Sequence, residues 1–197
     1  MTKLAPILIT LCAALTLFLI YPVKSPGNAN SNATTETRVG QLQLFAILNV
    51  ASVQKELALT DEQIAAIANI NQNPIATTFA DSIRPLTEIL MEEQLKEFKR
   101  IAFQGLMVRA FTVAEVQESL ELTPDQKTAI AAIQANLKSK LQPFQDMIKT
   151  GKDVDPIALD RDIKAFHEEA YVEALGLLTT KQSKKWEEIA RPVPLRN

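Results

Sequence analysis

The sequence predicts an all-α protein: two tandem, related helical-hairpin halves, 41–104 and 111–190, that form an elongated helical bundle after an N-terminal signal or anchor segment. Three observations predict this fold. Apolar residues recur at helical spacing, a helix-start motif is repeated, and the chain aligns on itself. In addition, no stretch alternates between apolar and polar residues for long enough to form a strand, and the chain has only five Gly.

The N-terminal segment has the pattern of an export signal. Residues 4–21 form an almost uninterrupted apolar run between Lys3 and Lys24. This pattern is typical of a signal peptide, whereas the length of the run is close to the roughly 20 residues that cross a bilayer. We therefore expect residues 1–29 to be either a cleaved signal peptide or a retained signal-anchor, followed by a flexible linker at 30–40. The predicted location is periplasmic or exported, with a tether to the inner membrane only if residues 4–21 are kept.

The charge balance and the residue counts exclude several function classes. The chain has 21 Lys and Arg against 23 Asp and Glu, with one His and one Cys. Removal of residues 1–29 takes away two Lys and no acidic residue, so the formal net charge changes from −2 to −4. An acidic chain is poorly suited to a phosphate backbone, and we predict no nucleic-acid partner. One Cys also excludes a disulfide-stapled scaffold.

An internal repeat organises the rest of the chain. Residues 48–70 align without gaps on residues 111–133 at an offset of 63, with 12 of 23 positions identical. Chance would give about one or two identities, so the alignment indicates a duplication.

A second, weaker match lies at the end of each half. Residues 90–102 match 178–190 at an offset of 88, and Phe98 corresponds to Trp186. The two offsets differ by 25, which predicts an insertion of about that length in the second half, between Pro143 and Phe166. Residues 191–197 are the predicted tail.

A five-residue motif, Leu-Thr-x-x-Gln, recurs in both halves. Thr followed by Gln three residues later is a capping box, in which the hydroxyl accepts from the N3 amide and the Gln side chain accepts from the N-cap amide. Each copy therefore predicts a helix start, and a degenerate copy at Leu90–Gln94 has Met91 in place of Thr. The motif residues are Leu59, Thr60 and Gln63, then Leu122, Thr123 and Gln126, then Leu178, Thr179 and Gln182.

Helical periodicity and these start signals give the element predictions. Asn49 and Thr112 are N-cap candidates for short helices, and Thr112 with Glu115 forms a further capping-box pattern. Pro143 should bend or break its helix because it lacks a backbone donor. The predicted helices are 41–57, 60–72, 75–89, 91–104, 112–120, 123–149, 157–177 and 179–190.

The three LTxxQ motifs on an exported, all-helical chain resemble the Spy/CpxP (LTxxQ-motif) family of bacterial periplasmic proteins. The stretches QLKEFKRIAFQG and VAEVQESLELTPDQK are more similar to uncharacterised exported proteins of this build than to the characterised members. The resemblance implies an elongated helical hairpin, often dimeric, with ATP-independent chaperone or envelope-stress regulatory activity, and with metal binding in some relatives. This chain departs from the family in its duplicated layout and its acidic mature region.

The candidate catalytic and metal-binding groups favour structural roles. His167 has only Tyr171 at i,i+4 spacing, which is a poor partner for zinc, so we expect a solvated or half-buried His and no metal or other cofactor. Adjacent carboxylates such as Glu168 and Glu169 point in different directions on a helix and do not converge on one substrate atom. Nucleophile-elbow, phosphate-loop and dinucleotide motifs are absent from the sequence. We therefore predict that the protein is not an enzyme.

Two function classes stay open at this point. The leading hypothesis is a chaperone or stress-regulatory binding module whose partners are unfolded or envelope proteins, with homodimer formation. The alternative is a structural or scaffolding envelope protein without chaperone activity, and a metal-binding sensor is a distant third. Aromatic and Met side chains fit core positions at helical spacing, and a groove for clients would use the same residue types.

Overall fold

A computed structural model of the protein describes residues 46–70, 79–150 and 155–190. Within these ranges the regular structure is helical and contains no strand, which confirms the predicted all-α class. None of the helices in the described ranges has the length and apolar character needed to span a bilayer. The predicted signal or anchor at 1–29, the linker at 30–40 and the tail at 191–197 lie outside the described residues.

The chain divides into two compact units, with the boundary between Ala102 and Phe103. In unit 1, Phe98, Ile101 and Ala102 follow one another at helical spacing and place one face in the core, where Phe98 is fully buried. Residues 46–48 are also helical. The elements of unit 1 are α1 (Ala51–Glu56), α2 (Asp61–Ile70), α3 (Phe79–Ile83), a 3-10 helix at Arg84–Glu88 and the larger part of α4 (Glu92–Leu106).

Unit 2 is built around a helical hairpin. The elements are a 3-10 helix at Met107–Thr112, α5 (Ala114–Ser119), α6 (Pro124–Lys149), α7 (Pro156–Gly176) and α8 (Thr180–Ala190). Helices α6 and α7 pack antiparallel, because Lys140 Nζ lies 2.7 Å from Glu169 Oε2 and the rings of Phe144 and Phe166 are 5.9 Å apart. The 3-10 helix packs on both of them.

An aromatic cluster ties α7 and α8 to the 3-10 helix of unit 2. Phe111 lies 4.6 Å from the Trp186 ring and 6.1 Å from the Tyr171 ring, measured between centroids. The Trp186 indole donates to the Tyr171 hydroxyl at 2.9 Å, so the polar ends of both side chains are satisfied. At the offsets of 63 and 88, the corresponding residues of unit 1 are Leu48, Ile83 and Phe98, all of them buried.

The short helices differ from the prediction at their starts. The predicted helix 41–57 is interrupted at Asn49 and Val50, and the N-caps are Val50 and Val113, so the predicted caps Asn49 and Thr112 are wrong. The Thr112 hydroxyl instead donates to the Arg109 carbonyl at 2.8 Å, within the preceding 3-10 helix. The interruption is stabilised by Gln54, whose amide donates to the Leu48 carbonyl at 2.9 Å.

Two proline positions also differ from the expected structure. The segment predicted as one helix at 75–89 is described from Phe79 onward. It changes from α3 to a 3-10 helix at Arg84, directly before Pro85, which lacks the donor needed to continue the α-helical ladder. Helix α6 runs through Pro143 without a break, so the predicted break is wrong. Packing of Phe144 on Phe166 supports the helix next to this proline.

The insertion predicted between Pro143 and Phe166 stays a prediction; the described parts of this segment are the end of α6 and the start of α7. Helix α6 has 26 residues, whereas α2, its counterpart at the offset of 63, has 10 described residues.

Candidate functional site

Each of the three LTxxQ motifs lies at a helix start and forms the two hydrogen bonds of a capping box. In each motif the Thr backbone N–H donates to the Gln side-chain oxygen, and the Gln backbone N–H donates to the Thr hydroxyl. The two N···O distances are 3.1 and 3.2 Å for Thr60 and Gln63, 3.0 and 3.2 Å for Thr123 and Gln126, and 2.9 and 3.3 Å for Thr179 and Gln182.

The degenerate copy keeps one of the two bonds. The Met91 backbone N–H donates to Gln94 Oε1 at 2.9 Å, while the thioether of Met91 offers no comparable acceptor for the N3 amide. The Met91 side chain is 65% exposed. Gln94 therefore lies at the same position of α4 that Gln182 occupies in α8.

The motif glutamines of unit 1 also bind each other. Gln63 Nε2 donates to Gln94 Oε1 at 2.8 Å, and Gln94 Nε2 donates to Gln63 Oε1 at 3.2 Å. The remaining protons reach backbone carbonyls, because Gln63 Nε2 also donates to Ile89 O at 2.8 Å and Gln94 Nε2 to Leu57 O at 3.0 Å. This glutamine pair thus joins the starts of α2 and α4 to the end of α1.

Unit 2 contains the same set of hydrogen bonds. Gln126 Nε2 donates to Gln182 Oε1 at 2.8 Å, and Gln182 Nε2 donates to Gln126 Oε1 at 2.9 Å. Gln126 Nε2 also donates to Leu177 O at 2.8 Å, and Gln182 Nε2 to Leu120 O at 3.1 Å. Each acceptor carbonyl lies at the offset, 63 or 88, that relates it to its counterpart in unit 1.

The leucines of the motifs supply apolar contacts beside the glutamine pairs. Leu122 is buried, Leu178 is half-buried, and Leu59 is half-buried against the core of unit 1. Gln94 and Gln182 are themselves buried, at 6% and 8% exposure. Buried amides with all their protons bonded stabilise a particular packing, and they carry no titratable or nucleophilic group. The motif residues therefore form a structural joint between helices.

Sequence reasoning missed an ion cluster in unit 1. Arg100 is only 6% exposed, its Nη2 lies 2.9 Å from Glu56 Oε1, and its guanidinium also bonds Glu97. Partial burial raises the pKa of the Glu56 carboxyl above 4.5, Arg100 acts in the opposite direction, and Glu97 adds to the increase. The only signal in the sequence was the helical spacing of Glu97 and Arg100.

His167 is buried in unit 2, so the expectation of a solvated or half-buried side chain is wrong. It is 9% exposed, and its Nε2 atom has no hydrogen-bond partner. Burial lowers the pKa of His167 from 6.5 to about 4, and the positive charge of Arg109 contributes in the same direction. The imidazole is therefore neutral near pH 7.

Apolar side chains are incompletely covered at the end of the α6–α7 hairpin. Phe144, Met147 and Ile148 are half-buried, and Ile157 is 81% exposed. We refer to these four residues as the hairpin-end patch. Val172, on α7 but 15 residues from Ile157, is 66% exposed outside the patch.

The described residues bring together no group of three or more His, Cys, Asp or Glu side chains that could hold a metal ion.

Comparison of the chain with protein-family models, with curated proteins and with solved structures finds no match.

Proposed function

We propose that the protein is a non-enzymatic, exported binding module of the LTxxQ type that acts as an ATP-independent chaperone or an envelope-stress regulator. In this proposal the glutamine pairs hold the helices in place, and the hairpin-end patch contacts unfolded or envelope proteins.

The observation that carries the proposal is the contrast between core and hairpin end in unit 2. Leu137, nearer the start of α6, is 6% exposed, whereas Phe144, Met147 and Ile148 are only half-covered. Exposed Met and aromatic side chains adapt to varied apolar partners, which suits the binding of unfolded chains. Charged side chains near the patch, such as Asp146 and Lys149, keep it soluble without covering it.

Suppression of aggregation tests this function. The predicted mature chain, residues 30–197, is mixed at equimolar concentration with a chemically unfolded client, and light scattering is followed over time. We expect scattering to fall to less than half of the client-alone value. Absence of any effect at a severalfold molar excess would refute the chaperone proposal.

A matched pair of variants tests whether the hairpin-end patch is the surface that binds clients. Ile157→Ser removes the most exposed apolar side chain of the patch, and Val172→Ser removes an exposed apolar side chain of the same helix outside it. We expect the first variant to weaken client protection severalfold and the second to leave it unchanged. Equal effects of both variants would exclude the patch as the binding surface.

A further inference from the structure

His167 lies where α7 packs against the rest of unit 2. On α7 it is followed at helical spacing by Ala170 and Ala174, which are buried together with it. Helix α7 packs on α6 and on the 3-10 helix at Met107–Thr112. A proton added to this side chain would place a charge in an apolar interface with no described acceptor for Nε2.

Within the described ranges, no carboxylate acts to favour the protonated form of His167. Arg109, on the 3-10 helix, opposes protonation because it is itself positive. Lys140 on α6 binds Glu169 of α7 and lies 5.5 Å from the centre of the Phe166 ring. On α7 itself, Lys164 is positive, and the Tyr171 hydroxyl accepts the hydrogen bond from Trp186 of α8.

The corresponding position of unit 1 is apolar. His167 follows Phe79 by 88 residues, which is the offset that relates the ends of the two halves. Phe79 is half-buried and packs on the core of unit 1. The two units thus differ at this position by one ionisable side chain.

We propose that His167 is an acid-sensitive latch: its protonation releases α7 from α6 and from the 3-10 helix, and uncovers the apolar side chains that the hairpin buries. The release stands on the packing of unit 2 alone. That the uncovered side chains then serve as an additional client surface rests on the proposed function.

Proton linkage gives the direction in which pH changes the stability of folded unit 2. The unfolded chain takes up a proton at His167 as the pH falls below 6.5, whereas folded unit 2 takes it up only near pH 4. Between these values the unfolded or released state binds more protons, so its population relative to the folded state rises by up to tenfold per pH unit. The increase is roughly 160-fold at pH 4 and approaches roughly 300-fold at lower pH.

Two reporters follow the latch in the full chain. The chain has one Trp, Trp186, which contacts Phe111 and Tyr171, so its fluorescence emission reports the packing of unit 2 alone. The chain also has one His, whose ring C–H signals in an NMR titration belong to His167 without assignment. We expect the Trp emission to shift to longer wavelength between pH 6.5 and 4, together with protonation of His167.

Substitutions separate the latch from general acid unfolding. His167→Phe places the residue of unit 1 at this position, and we expect it to move the fluorescence transition at least one pH unit lower. His167→Gln, which is neutral at every pH, should do the same and serves if the Phe side chain does not fit. An unchanged transition in a folded variant would overturn the proposal.

The wild-type chain provides an independent test. Protonation of His167 near pH 6.5 without any change in Trp186 fluorescence would also overturn the latch. Client protection measured at pH 7 and pH 5 then tests the functional part, because a normal fluorescence transition without increased protection would reject the client surface and retain the latch.

Discussion

Ala58 and Glu121 have left-handed backbone conformations, with φ of 49° and 52°. Each follows a short helix, and the next residue closes a Schellman motif, since Leu59 N donates to Gln54 O and Leu122 N to Gln117 O, both at 3.0 Å. Glycine is the residue that usually occupies this position, because a Cβ atom is unfavourable there. Both units therefore carry a local strain at the same point of the chain.

We expect Ala58→Gly to raise the free energy of unfolding by about 0.5–1 kcal/mol, because it relieves this strain. Denaturant titration measures the change. Ala65→Gly is the matched control, since Ala65 is an exposed residue inside α2 and its replacement should lower stability by about 1 kcal/mol. A loss of stability in Ala58→Gly would show that the left-handed residue is not strained.

Arg100 supports a second prediction at this scale. Arg100→Met leaves Glu56 and Glu97 close together without their cation, and we expect a loss of about 2–4 kcal/mol at pH 7. The loss should shrink toward pH 4 as the Glu56 carboxyl, whose pKa is raised, takes up a proton. Lys96→Met, on an exposed position of α4, should change stability by less than about 0.5 kcal/mol in the same titration. A comparable effect from both substitutions would contradict the role of the ion cluster.

Among the helices, hydrogen bonds between residues close in the sequence could be predicted, whereas those between residues far apart in the sequence could not. The capping bond of Thr60 with Gln63 spans three residues, so spacing alone determines its geometry. The bond of Gln63 with Gln94 spans 31 residues and depends on how α2 packs on α4, which spacing does not specify. The caps predicted at Asn49 and Thr112 are wrong because each short helix starts one residue later, after Val50 or Val113, and neither start has a side-chain capping bond.

The glutamine pairs are expected to couple energetically. In unit 2, Gln126→Ala, Gln182→Ala and the double variant form a cycle in which we expect a coupling of about 1–2 kcal/mol, because each amide loses its partner when the other is removed. The amide of Gln142, at the other end of α6, donates to Asp146 at 2.9 Å, so a cycle that pairs Gln142→Ala with Gln126→Ala should give a coupling of less than about 0.5 kcal/mol. Coupling as small in the motif pair as in this control would mean that the two amides act independently.

For the molecule as a whole, the duplicated pattern was visible in the sequence, but the differences between the units were not. Identities at the offset of 63 predicted related elements around Leu57 and Leu120, whose carbonyls both accept from a motif glutamine. The burial of Arg100 and of His167 could not be predicted, because a charged or polar residue at helical spacing fits a solvated face equally well. These two residues are among the features in which each unit departs from its counterpart.

A fall in pH is expected to raise the stability of unit 1 and to lower the stability of unit 2. The raised pKa of Glu56 means that the folded state of unit 1 binds a proton more readily than the unfolded chain, so its stability increases as the pH falls toward 4.5. The lowered pKa of His167 means that the folded state of unit 2 binds a proton less readily than the unfolded chain, so the stability of unit 2 decreases as the pH falls below 6.5.

Hydrogen exchange read by mass spectrometry measures the stability of each unit separately, after correction for the intrinsic pH dependence of exchange. Between pH 6.5 and 5 we expect the slowest amides of α7 to lose about 15-fold in protection while those of α2 lose none. The His167→Phe chain should keep protection in both helices, and a parallel loss in α2 and α7 of the wild type would assign the acid response to a cause other than these two side chains.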